Sequence, residues 1–200
     1  MQIDKPLQPI TLTGNHVHLI PLSLDHLDRL CELGLNEDIW RWMQQQVGTR
    51  DDMRAFIEEA LEGERAGTML PFAQVDAATG LVIGTTRYGN IDRANRRVEI
   101  GWTWIGAPWQ RTAINTESKF LLLRHAFEML GCIRVELKTD ALNERSRRAI
   151  LRIGATEEGI LRRHVIISTG RIRDTVCFSV LDSEWPGVKA RLSLKLESQM

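Results

Sequence analysis

The sequence predicts an α/β fold in the broad (α+β) sense: a mixed, mostly antiparallel sheet of about seven strands with about four helices around it. Three observations predict it. Apolar residues recur with helical spacing over 24–35, 50–65, 112–130 and 143–153, and with a period near two in the segments between and after them. The resulting order, β-α-α-β-β-β-α-β-α-β-β, holds one strand–helix–strand unit, residues 97–138, within a run of otherwise neighbouring strands. Finally, 43% hydrophobic and 26% charged residues in a chain of 200 is an ordinary globular balance, sufficient for one core.

Each element has its own signal. Residues 16–22 alternate and read as a first strand. A helix follows over 24–35, with Ser23 or Asp25 near its cap. A short piece, 37–43, leads to a second amphipathic helix over 50–65, in which Phe56, Ile57 and Leu61 are spaced for one buried face. Strands over 69–76 and 81–91 flank a turn at 77–80, and 97–105 continues the meander. Gly106-Ala107-Pro108 ends it. A long helix over 112–130 stops at Gly131, a buried strand spans 133–138, and a helix over 143–153 closes at Gly154. Residues 159–167 and 171–181 form a hairpin around Ser168-Thr169-Gly170. The chain reads as a single domain over 1–200, with its core at about 14–186 and a tail, 187–200, able to form a short helix.

Composition excludes several classes. Lys plus Arg equals Asp plus Glu at 26 each, so no broad field attracts nucleic acid or a membrane, and any anion must be held locally. Cys31, Cys132 and Cys177 are scattered and odd in number, which argues against a disulfide framework or structural metal. His16-x-His18 lacks a third ligand and reads as ordinary strand residues. There is neither a signal-like start nor a membrane-length apolar run, so a cytoplasmic protein is expected. The oligomeric state is open, a homodimer included.

The chemistry concentrates in Val98-Glu99-Ile100-Gly101-Trp102-Thr103-Trp104-Ile105, a tight turn, and then Gln110-Arg111-Thr112-Ala113-Ile114-Asn115. A strand here runs through a loop into a helix. The first helical amides lack internal partners and the helix dipole is positive there, so a diphosphate suits the geometry; a plain strand-to-helix turn is the alternative. Alternation places Val98, Ile100, Trp102 and Trp104 on one face of the strand, and Glu99, Gly101, Thr103 and Ile105 on the other.

This stretch resembles the acetyl-CoA loop of the GNAT acetyltransferases, whose pattern is Gln/Arg-x-x-Gly-x-Gly/Ala. The flanking EIGWTWI and NTESK, Asn143-x-x-Ser146, Leu151-Arg152-Ile153-Gly154-Ala155 and the late Gly170-Arg171-x-Arg173-Asp174-Thr175 are similar to the branch of ribosomal-protein N-terminal acetyltransferases. The resemblance runs in element order from about Gly14 to Pro186. It implies a sheet splayed between the strands at 97–105 and 133–138, acetyl-CoA (coenzyme A) as cosubstrate, and a primary amine as acceptor. Two departures stand out. Ala113 and Asn115 occupy positions where glycine, or glycine or alanine, is usual. The only tyrosine, Tyr88, lies in an earlier strand, so protonation of the leaving thiolate falls to another group or to water.

The resemblance assigns roles residue by residue. Glu99 is the candidate base, an ion pair with Arg96 or Arg97 being the structural alternative. Backbone at Trp104 and Ile105 would polarise the acetyl carbonyl and hold the pantetheine arm. Gln110, Arg111, Thr112, Ala113, Ile114 and Asn115 would cradle the diphosphate. Asn143 would meet the pantetheine arm, although a helix cap also explains it. Ser146 would help protonate the sulfur, a plain surface serine being the alternative. Arg145, Arg147, Arg148 and Arg152 crowd that helix, a charge run that a solvated face explains; coenzyme A carries a 3′-phosphate, and Arg147 or Arg148 would be the one to meet it. Trp40 and Trp42 would roof the acceptor site, although core packing also accounts for two tryptophans there. Arg162, Arg163, His164 and Arg171 would meet an acidic acceptor or simply decorate an exposed hairpin. With no cysteine in the motif, transfer by direct attack is expected. The rival readings are a GNAT-like module that binds coenzyme A without turnover, and an interaction domain that binds none.

Overall fold

The computed structural model describes residues 7–198, so the extreme ends of the expected 1–200 span lie outside the described residues. Eight strands form one open sheet in the order β1-β2-β3-β4-β5-β6-β8-β7. They are β1 (Leu12–Thr13), β2 (Val17–Pro21), β3 (Leu70–Asp76), β4 (Val82–Asp92), β5 (Arg97–Ile105), β6 (Arg134–Asp140), β7 (Thr156–Ile166) and β8 (Ile172–Leu181). Every pairing is antiparallel except β5 with β6. The two-residue β1 is the strand that alternation alone could not show.

Among the described residues six α-helices accompany the sheet: α1 (Leu27–Gly34), α2 (Glu37–Trp40), α3 (Arg50–Arg65), α4 (Ile114–Arg124), α5 (Glu144–Arg152) and α6 (Trp185–Glu197). Thr49 and Asp52 form a reciprocal capping box that starts α3. That helix buries Met53, Phe56, Ile57 and Ala60 along one stripe. The long helix expected over 112–130 is α4 followed by a π-helical turn, His125–Met129. Gly131, at φ +68°, ends it in the left-handed conformation glycine tolerates. The tail forms α6, with Trp185, Val188 and Leu192 buried. No described helix is long and apolar enough to cross a membrane.

Two apolar cores lie on opposite faces of the sheet. The back core holds Val98, Ile100, Ile105, Leu121, Leu122, Val135, Leu137 and Val176 under α4, α5 and α6. The front core holds Leu27, Leu30, Trp40, Phe56, Ile57 and Trp104, with Trp102 packed against it, under α1 and α3.

Strand β5 feeds both cores, which corrects the expected alternation. Its register with β4 skips between Thr85↔Trp104 and Arg87↔Gly101, and Trp102 has φ +49°. This is a bulge, an extra residue that breaks the period of two. Val98 and Ile100 stay at the back, but Trp102 and Trp104 go to the front, and Thr103 faces α4. Gly89 makes room for the change: a Cβ there would lie 2.3 Å from Trp102 Cζ3. The buried Arg87 guanidinium lies 5.6 Å from the Trp102 ring and 4.1 Å from that of Phe56.

Candidate active site

Strands β5 and β6 pair in parallel at only three positions, Arg97↔Arg134, Val98↔Val135 and Glu99↔Glu136. Beyond these they part. From Ile100 onward β5 has a strand neighbour only in β4, and β6 only in β8. A wedge opens between them, and Glu99 sits at its apex.

Glu99 is 8% exposed and is ion-paired, although not with Arg96 or Arg97. Its Oε2 accepts hydrogen bonds from Lys138 Nζ at 2.7 Å and Asn90 Nδ2 at 2.8 Å. Arg96 instead bonds the Gly131 carbonyl, and Arg97 pairs with Asp92 and Glu136. The sequence distance of 39 residues hid Lys138; only the parallel pairing brings it near. Glu99 Oε1 makes no hydrogen bond among the described residues, and it lies 3.4 Å from where a Cβ on Gly101 would stand. Burial pulls the Lys138 ammonium down, but Glu99 and Glu136 outweigh it and hold its pKa above the ordinary value. Glu136 also takes Arg134 Nε at 2.9 Å, and Arg134 in turn pairs with Glu158. A charged ladder thus crosses the front face from β5 to β7.

The wedge runs toward the turn that precedes α4. Residues 107–109 form a single 3-10 turn, and Gln110 returns to extended backbone. Arg111, at φ +64°, then swings the chain into the helix. Ala113 has φ −62°, so its methyl meets no backbone strain there. No side chain caps α4. The Ile114 amide reaches Thr112 Oγ1 at 3.3 Å, whereas those of Ala113, Asn115 and Thr116 carry no hydrogen bond among the described residues. A helix start with free amides and no cap is a place for an anion. Asn115 is half-buried there and Ile114 is buried in the back core. Gln110 folds inward, donating through Nε2 to the Ile105 carbonyl at 2.8 Å and accepting through Oε1 from Arg145 at 2.7 Å.

On the far side of the wedge, Asn143 caps α5 by accepting from the Ser146 amide at 3.0 Å. Ser146 is half-buried, and its hydroxyl makes no hydrogen bond among the described residues. The arginines of α5 have different partners. Arg147 is turned toward Glu157 at 3.3 Å and the Ala141 carbonyl, and Arg148 pairs with Glu144. Arg145, through Gln110, is the one that meets the loop before α4.

The expected roof divides in two. Trp40 is 1% exposed, donates through Nε1 to the Gly34 carbonyl at 2.6 Å, and packs against Phe56 and Trp104. It belongs to the front core and also lines the cavity beside α2. Trp42 is half-buried, with the Arg41 guanidinium 5.0 Å and the Arg171 guanidinium 5.7 Å from its ring. Nearby, a cavity of about 540 Å³ opens between α2 and the β7–β8 turn, lined by Glu37, Asp38, Trp40, Arg41, Thr169 and Arg171 among others; Trp42 is not part of its lining. A backbone bond from the Ser168 amide to the Gln44 carbonyl, 3.0 Å long, joins its two walls. Arg162 and Arg163 lie on exposed β7, while Arg171 pairs with the buried Asp140.

Of three further groups, only Lys119 escaped sequence reasoning. Tyr88 is fully buried and donates to the Leu122 carbonyl at 2.5 Å. Cys177 lies outside the motif but stands opposite Lys138 in the sheet. Burial raises its thiol, with Lys138 opposing, so it is no ready nucleophile. Lys119 on α4 reaches Thr103 Oγ1 at 2.5 Å directly behind the bulge. The period-two patterns Glu136-x-Lys138-x-Asp140 and Arg171-x-Arg173-x-Thr175 were the signals that could have placed the charged face.

Comparison with known proteins points to one family. Residues 16–156 match the acetyltransferase (GNAT) domain family. YdaF of Bacillus subtilis (strain 168), named provisionally as a ribosomal N-acetyltransferase, is 36% identical over 110 residues, 55% of this chain and 59% of YdaF. The matched region thus spans little more than half of that relative. An uncharacterised N-acetyltransferase of Bacillus licheniformis, p20, is 28% identical over 182 residues, 88% of this chain and 99% of p20. Among solved structures, a GCN5-related N-acetyltransferase from Brucella melitensis superposes with a TM-score of 0.87 at 34% identity, covering 96% of this chain and 87% of that one.

Proposed function

The chain belongs to the GNAT acetyltransferase family, and from that premise we propose that it transfers an acetyl group from acetyl-CoA to a primary amine by direct attack. The observation that carries this reading is the wedge between β5 and β6 beyond Glu99, which leads to the uncapped start of α4.

Bound acetyl-CoA supplies the acetyl group as an activated thioester. The residues present suit it. Free amides at Ala113, Asn115 and Thr116, with the turn set by Gln110, Arg111 and Thr112, would hold the diphosphate. The β6-side edge of β5, at Trp104 and Ile105, and the Asn143 side chain would hold the pantetheine arm. A backbone N–H at Trp104 or Ile105 would polarise the acetyl carbonyl, and the bulge at Trp102 sets how this part of β5 meets it. Arg145 is nearer the phosphate end than Arg147.

Glu99 Oε1, free beside Gly101, takes a proton from the acceptor amine, directly or through one water. Lys138 neutralises the carboxylate from the Oε2 side and fixes its orientation. The amine's C–N bond forms as the C–S bond breaks, and the departing sulfur takes a proton from Ser146 or from water. YdaF's name points toward a protein N-terminus as acceptor, and a small-molecule amine is the other candidate.

The test has two parts. Coenzyme A should raise the melting temperature, and acetyl-CoA should release thiol in proportion to acetylated amine. Glu99→Gln should lower kcat by about 10²-fold while the Kd for coenzyme A stays within about threefold of the wild type. Full turnover in Glu99→Gln removes that residue from the mechanism. Binding of coenzyme A without transfer to any amine would establish a binding module instead.

A further inference from the structure

The front face that carries Glu99 continues across β6 to β8, where Arg173 and Thr175 lie two residues apart on the same side. Both are buried, Arg173 at 5% exposure and Thr175 at 1%. Neither Arg173 Nε nor Thr175 Oγ1 has a hydrogen-bond partner, and Arg173 forms no ion pair among the described residues. Buried charges are ordinarily paired and buried hydroxyls ordinarily bonded. Two unpaired groups side by side therefore call for an explanation.

The neighbouring carboxylates are already committed. Asp140, fully buried, accepts from Arg171 and from the Leu142 amide. Glu99 accepts from Lys138 and Asn90. Burial draws Arg173 below its ordinary pKa; Asp140 and Glu99 oppose that and Arg171 reinforces it, so all three lie within electrostatic reach. Arg41 has no carboxylate partner among the described residues either, and its guanidinium lies over Trp42, as does that of Arg171. Arg173 and Thr175 therefore present donors in search of an oxyanion, while Glu99 Oε1 is left to accept from an amine.

Resting on the acetyl-transfer reading above, we propose that Arg173, with Thr175 beside it, receives a carboxylate of the acceptor. The acceptor is then an amine that carries a carboxylate on the same residue: a free α-amino acid, or a peptide whose first residue is Asp or Glu. Its amine turns to Glu99 and its carboxylate to Arg173.

The experiment compares kcat/KM for matched acceptors with acetyl-CoA. One arm sets phenylalanine against phenethylamine and leucine against isoamylamine. The other sets peptide amides beginning with Asp against the same peptides beginning with Asn. The first arm reports a free amino acid, the second an acidic amino terminus. The wild type should prefer the carboxylate member in at least one arm by about tenfold or more, as one charge-assisted hydrogen bond allows. Arg173→Gln should collapse that ratio below about threefold, and Arg173→Lys should restore part of it. The melting-temperature rise with coenzyme A, measured on both variants, checks that the coenzyme site persists. Equal kcat/KM within every pair for the wild type, or a preference that survives Arg173→Gln, overturns the assignment and leaves acetyl transfer standing. Coenzyme A binding with no transfer to any member overturns the acetyl-transfer reading and this proposal together.

Discussion

Replacing Lys119 with methionine should stabilise the protein in acid and lose that advantage as pH rises. Lys119 is 7% exposed, and its ammonium meets only the hydroxyls of Thr103 at 2.5 Å and Thr86 at 3.4 Å, with no carboxylate among the described residues. Burial lowers its pKa from 10.5 to about 7. Below pH 7 the group is charged in both folded and unfolded chains, and the folded state carries the whole cost. At about 1.4 kcal/mol per pH unit, a drop of roughly 3.5 units amounts to about 5 kcal/mol. Between pH 7 and 10.5 the unfolded chain binds more protons than the folded one, so wild-type stability rises with pH through that window. From pH 6 to pH 9 the gain is about 2 to 3 kcal/mol. Methionine removes the charge but also two hydrogen bonds, worth about 1 kcal/mol each; the 2.8 Å contact between the Thr86 and Thr103 hydroxyls remains. Lys119→Met should therefore be more stable by about 3 kcal/mol at pH 6, and by about 1 kcal/mol or less at pH 9. Urea unfolding of both proteins at pH 6, 7, 8 and 9 gives the difference directly, since other titrating groups cancel in it. A difference that stays flat from pH 6 to 9, or that grows, refutes the reasoning.

Two other perturbations probe the scaffold on either side of the wedge. Glu117 on α4 accepts the backbone amides of Asn15, His16 and Val17 at 2.9, 2.6 and 2.8 Å, pinning β2 to the helix. Glu117→Gln turns an NH₂ toward those donors, and thermal unfolding should show a loss of about 2 to 3 kcal/mol; an unchanged melting temperature would deny the pin its importance. Gly89→Ala places a methyl 2.3 Å from the Trp102 ring, so the bulge must shift. Turnover should fall by about tenfold or more with coenzyme A affinity nearly unchanged, and adding Trp102→Ala should recover part of it. Normal turnover in Gly89→Ala alone would separate the bulge from catalysis.

The fold was legible where local rules decide. Thr49 and Asp52 cap α3, Asn143 caps α5, and Gly131 and Gly154 sit at φ +68° and +95° just past their helices, as their positions in the sequence suggest. The loop before α4 was legible for the same reason. The charged face was not, because its partners come from distant strands. Glu99 looks toward Arg96 and Arg97 in sequence, but its own strand carries those side chains elsewhere, and the parallel neighbour delivers Lys138. Trp40 and Trp42 look alike on paper; one is core and the other lies at the surface with two guanidiniums over it.

The bulge was the least legible feature, and it explains the most. The run Val98 to Trp104 alternates, and only the adjacent apolar pair Trp104-Ile105 departs from the period, too late in the strand to locate an extra residue. Strict alternation would send Trp102 and Trp104 to the back, where Ile105, Ile114, Leu121 and Leu122 already fill the space beneath α4. The front core has room for them, because Gly34 and Gly89 leave space against the Trp104 and Trp102 rings and Arg87 lies beneath Trp102. One inserted residue at Trp102 moves both tryptophans forward and turns Thr103 back to Lys119. A strand that has advanced by one residue also loses step with a straight parallel neighbour, and the β5–β6 register ends at Glu99, three residues before the bulge. On this argument the packing of two tryptophans and the opening of the wedge are one event. A substitution that restores plain alternation in β5 should then close the wedge as well as disturb the core.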